Sequence, residues 1–101
     1  MNTPDALRVL IDFINQHQIP DGDIVAAHVS RHAPAPATLH LRAPAWGRLA
    51  GPAARSADVH TDGSVLHVAT IRGDVRLIAV LDAADATDCA LVGYQPARRA
   101  S

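Results

Sequence analysis

Residues 65–81 read Val65-Leu66-His67-Val68-Ala69-Thr70-Ile71-Arg72, then Gly73-Asp74, then Val75-Arg76-Leu77-Ile78-Ala79-Val80-Leu81. Two apolar runs separated by Gly-Asp predict a β-hairpin, because glycine in the first loop position accepts the positive φ that a two-residue turn needs. The second run says more. Val75, Leu77, Ala79 and Leu81 fall on one face of a strand, and Ile78 and Val80 fall on the other. Leaving those two in water would forgo about 1.5–3 kcal/mol each, so both faces ask for cover. One face is expected to meet helices. The other is expected to meet a two-fold mate, giving a homodimer that buries the outer face or edge of this last strand, with Ile78, Val80 and neighbouring Arg76 as interface residues. In the first run, His67 is a candidate for the inward face beside Val65, Ala69 and Ile71.

Working back from the hairpin, Ala57 to Thr61 reads as a strand turning at Asp62-Gly63. Pro44 to about Ala50 reads as a short helix, frayed or partly 3₁₀ because Gly47, Gly51 and Pro52 weaken it, with Trp46, Leu49 and Ala50 on one side. Ala37 to Arg42 alternates, with Leu39 and Leu41 in and Thr38, His40 and Arg42 out. From Ile24 a further strand is expected, with Val25 and Val29 inward, pairing antiparallel with it across a His32-to-Pro36 loop. At the front, Thr3 to Gln16 reads as the core helix. Thr3 is its expected cap, Pro4 sits in the first turn, and Leu7, Leu10, Ile11 and Ile14 form the apolar stripe, widened by Phe13. The element order is αββαβββ. It predicts an α+β fold in which an antiparallel sheet of four to five strands carries one long and one short helix on one face.

The 101-residue, 10.6 kDa chain fits one small domain, expected at residues 1–81, with 82–101 a flexible C-terminal tail whose one apolar island, 89–94, is a candidate docked segment and the alternative cover for Ile78 and Val80. A formal net charge of −1 and a pI of about 6.6 withhold the basic field that non-specific nucleic-acid binding uses. The single cysteine, Cys89, forms no internal disulfide and anchors no Cys-rich zinc site. No apolar run is long enough for a membrane helix, and the N-terminus lacks the cationic start of a signal peptide, so a cytoplasmic protein is expected. All nine basic residues are Arg, and they are scattered along the chain, which reads as base composition more readily than as guanidinium chemistry.

Ile19-Pro20 after the amphipathic helix, His40-Leu41 in a strand, a Trp-bearing short helix, and Arg72-Gly73-Asp74-Val75-Arg76-Leu77 at the closing hairpin form a recognisable order. Over roughly residues 3–81 the chain resembles short α+β proteins of actinobacteria and their phages. That group has no assigned activity, so the resemblance implies a habitat and no chemistry.

Six histidines are present, and His28, His40, His60 and His67 fall in predicted strands. Imidazoles on neighbouring strands meet at Cβ separations of about 4.5–5.5 Å, near enough to share a metal. Against this, no pair has the spacing of a zinc motif, no Cys joins them and the sequence has no Glu to act as ligand or base. The four are therefore candidate metal ligands that compete with a plain reading as half-exposed sheet residues, and no cofactor is expected. Ser30 and Ser64 lie near histidines and aspartates, but nothing resembles the Gly-x-Ser-x-Gly elbow that a Ser-His-Asp mechanism needs. Trp46 and Phe13 read as core residues.

The function expected from these features is a non-enzymatic interaction or regulatory protein acting through a sheet face or edge, in an accessory role consistent with a phage setting. The alternative is a small metal-binding protein or enzyme in which His40, His60 and either His28 or His67 converge within about 5 Å. A weaker third reading, nucleic-acid binding, would use Arg31, Arg42 and Arg76. No membrane partner is expected.

Overall fold

The computed structural model describes residues 2–30, 37–51, 57–82 and 84–85. Helix α1 spans Thr3–Gln16, strands β1 and β2 span Ile24–Val29 and Ala37–Leu41, helix α2 spans Ala43–Ala50, and strands β3, β4 and β5 span Asp58–Asp62, Val65–Arg72 and Val75–Leu81. The order αββαβββ is the expected one, and the fold is α+β. The strands form one sheet in the spatial order β1-β2-β5-β4-β3. Three of its pairings are antiparallel, but β2 and β5 run parallel, so the sheet is mixed and not purely antiparallel. The β3-β4-β5 meander returns its last strand to the middle of the sheet, beside β2. A strand apolar on both sides loses most if left at an edge, which is why β5 lies at the centre. The expectation that an edge of the last strand is free for a mate is thereby overturned; among the described residues, its outer face is what is left open.

Both helices lie on the same face. α1 packs over β1, β2 and β5, and α2 packs over β5 and β4. Between helices and sheet, Leu10, Phe13, Trp46 and Leu49 meet Leu39, Leu41, Leu66, Val68, Val75, Leu77, Ala79 and Leu81 in one core. Trp46 is fully buried, and its indole N–H donates to the Leu77 carbonyl at 2.9 Å, which satisfies the one polar atom its burial would strand. α2 is a regular helix of eight residues and not a frayed one, because Ala43, Ala45, Trp46, Leu49 and Ala50 are buried along it and packing outweighs the intrinsic cost of Gly47. Arg72 reaches from the end of β4 to donate to the Leu49 carbonyl at 2.6 Å, closing the last turn of α2.

Several local expectations shift. Asn2, not Thr3, caps α1, its Oδ1 accepting from the Asp5 amide at 2.9 Å. The helix buries Ala6, Leu10 and Phe13, with Val9 and Ile14 packed against the core, and leaves Leu7 and Ile11 exposed at 49% and 57%. The buried stripe is therefore rotated from the expected one. In β1 the register slips between Ile24 and Ala26, so Ile24 pairs with Leu41 and packs on the core while Val25 is turned out to 58% exposure. In β4 the inward residues are Leu66, Val68 and Thr70, so Val65, His67, Ala69 and Ile71 do share a face, but it is the outer one. The first hairpin turns on Gly63-Ser64, with Asp62 paired to Val65, and the second on Gly73-Asp74 as expected. Gly63 and Gly73 have φ of 62° and 61°. The 32–36 loop, Arg31, Cys89, the 89–94 island and most of the C-terminal segment lie outside the described residues.

Candidate interaction face

The side of the sheet away from the helices is where the predicted site residues lie. Direct cross-strand partners point to the same side, so the register lays this face out in rows. One row runs Ala26, His40, Ile78, Ala69, Asp58 from β1 to β3. The row nearer the β4-β5 turn runs His28, Thr38, Arg76, Ile71. Towards the other end, Val80 stands beside His67, which stands beside His60. The interface candidates Ile78, Val80 and Arg76 therefore occupy the middle of an open face. Ile78 and Arg76 are half-buried, and Val80 and Ile71 are exposed at 41% and 49%. A depression of about 290 Å³ on this face is lined by His40, Asp58, His60, His67, Arg76, Ile78 and Val80.

All four candidate histidines are on this face, but they do not converge. His60 and His67 face one another with ring centroids 6.4 Å apart and planes tilted by 51°. The imidazole of His67 also approaches Asp62, Nε2 to Oδ2 at 3.5 Å, at an exposed position. His40 is two strands from His67, roughly 10 Å at the usual strand spacing, and Ile78 stands between them. His28 lies a further strand away, on β1. The convergence that the metal or enzyme alternative required is therefore not met, and among the described residues no three His, Cys, Asp or Glu side chains come together as a ligand set. What separates them is the central position of β5, which sequence order alone does not reveal.

Charge is distributed unevenly across the face. Arg76 lies in the row of His28, one row from His40, whereas Asp58 and Asp62 lie on β3 at the opposite flank. Arg76 makes no ion pair with a described residue, although its neighbours on the face, Ile71 and Ile78, are apolar. The other basic candidate, Arg42, is the exposed N-cap residue of α2.

A second depression, of about 330 Å³, lies between α1 and the β4-β5 turn, where Asp12, Gln16 and His17 face Arg72 and Asp74. Sequence reading missed it, since its two walls are about 60 residues apart in the chain. The Phe13 and His17 rings meet at 4.4 Å on its helix side.

No helix among the described residues is long and apolar enough to cross a membrane. Set against protein-family models, curated proteins and solved structures, the chain matches none of them.

Proposed function

We propose that this protein is a non-enzymatic interaction protein that works as a two-fold homodimer through the open face of its sheet. The observation that carries the reading is an apolar centre that no element among the described residues covers: Ile78, Val80 and Ile71 lie on the side that neither helix reaches. Burying Ile78 and Val80 against a mate would return about 1.5–3 kcal/mol for each, discounted by the part Ile78 already hides. The available area sets the strength. Five strands averaging about six residues present roughly 500 Å² in projection at ordinary strand spacings, a smaller face than the about 800 Å² per partner that a standard stable interface buries. The dimer is therefore a weak one, in the micromolar range. A regulatory or accessory role with a further protein partner goes with this reading on the strength of the short α+β body and its lack of a catalytic motif; the sequence resemblance contributes only the setting, actinobacteria or their phages.

Sedimentation equilibrium from about 5 to 500 µM tests it. The expected result is a mass rising towards twice the 10.6 kDa of the chain, with Val80→Asp holding the mass at one chain while leaving the circular dichroism spectrum unchanged. A single-chain mass at every concentration would overturn it.

A further inference from the structure

Within one chain Arg76 and Asp58 form no ion pair: Asp58 stands two strands across and one row along from Arg76, with backbones roughly 12 Å apart at ordinary strand spacings. The pair nonetheless flanks Ala69, Arg76 on its β5 side and Asp58 on its β3 side. A two-fold axis lying between two such faces and passing near Ala69 exchanges those positions. Each chain's Arg76 guanidinium, without an ion pair among the described residues, is then brought over the other chain's carboxylate, and both pairings form at once. The same rotation lays Ile78 against the small Ala69 of the second copy, so large meets small at the centre.

We propose, resting on the homodimer reading, that the occupant of the face is a second copy held in register by two reciprocal ion pairs, Arg76 of each chain with Asp58 of the partner subunit. Half-buried Arg76 between Ile71 and Ile78 is the residue that loses most if the carboxylate is missing, since dimer formation would strip its remaining water without replacement. Like charges placed opposite one another across the closed face repel, and this excludes a register that stacks Arg76 on Arg76.

Exchanging the charges one chain at a time tests the register. Arg76→Asp sets a carboxylate opposite Asp58, and Asp58→Arg sets a guanidinium opposite Arg76, so each variant alone is expected to self-associate about tenfold more weakly or worse. An equimolar mixture of the two restores both opposite-charge contacts, one native and one reversed, and is expected to return the two-chain mass. Since both variants must be folded to reassociate, recovery in the mixture also shows that the single losses are not misfolding. If neither exchange changes the dissociation constant while Val80→Asp still abolishes the dimer, the register is wrong and the face reading stands. If each exchange weakens the dimer and the mixture fails to recover, the reciprocal pairing is likewise overturned. If the wild-type chain is a monomer whose Val80 becomes accessible only when the chain is cut after Asp85, the occupant is its own C-terminal segment and both proposals fall.

Discussion

Trp46 links the short helix to the middle of the sheet. Its ring fills the space under α2, and its N–H is donated to the Leu77 carbonyl on the central strand. Two substitutions separate those contributions. Trp46→Phe keeps much of the ring and removes the donor, with an expected loss of about 1–3 kcal/mol for a buried carbonyl deprived of that partner and a partly filled space. Trp46→Ala removes both and is expected to cost about 3–5 kcal/mol, a large share of the stability of so small a domain. Urea unfolding followed by circular dichroism checks both, and the phenylalanine variant should fall between the other two. The core placement of Trp46 and Phe13 was legible from composition, since lone aromatics make no stacking platform. The Leu77 contact was not, because it joins residues 31 positions apart.

The elements that read cleanly from sequence are those with both a period and a stop. β4 and β5 match their expected bounds because alternation fixes the run and Gly73-Asp74 ends it. α1 is different. Ala6, Leu7, Val9, Leu10, Ile11, Phe13 and Ile14 cover an apolar arc wider than one sheet face can bury, so periodicity established a helix without choosing its inward edge. The sheet makes that choice. Leu10→Ala is accordingly expected to cost about 2–5 kcal/mol, whereas Leu7→Lys and Ile11→Lys should each stay within about 0.5 kcal/mol of the parent in the same measurement. The end of α1 offers a gain. Gln18 holds φ of 50°, and the amide of Ile19 donates to the Ile14 carbonyl at 3.1 Å while that of Gln18 donates to Asn15. This is the left-handed helix stop that glycine adopts without a Cβ penalty. Gln18→Gly should therefore stabilise the protein by about 1 kcal/mol, raising the thermal midpoint by roughly 4–8 °C.

At the scale of the whole molecule, the same seven residues that suggested an interface also decided the topology. Val75 to Leu81 is apolar on both faces because it is the central strand, parallel to one neighbour and antiparallel to the other. The two-sided pattern and the outward Ile78 and Val80 are legible in the sequence, whereas the choice between face and edge is not, because the strand that comes last in the chain does not come last in the sheet. The histidine cluster failed for the same reason, since inserting β5 between β2 and β4 moves His40 away from His60 and His67. Among the described residues the outer face carries Arg76, Ile78 and Val80 on its central strand and Asp58 and Asp62 on β3, and the proposed two-fold rotation sets Arg76 of each chain against Asp58 of the partner subunit. Burial of Ile78 and Val80 by a second chain is read out by methyl NMR with a soluble paramagnetic probe across a dilution series. The account predicts that the Ile78 and Val80 methyls are shielded near 500 µM and become broadened by the probe on dilution to a few micromolar, while those of Leu7 and Ile11 are broadened at every concentration. Equal broadening of Ile78 and Val80 at all concentrations would contradict it.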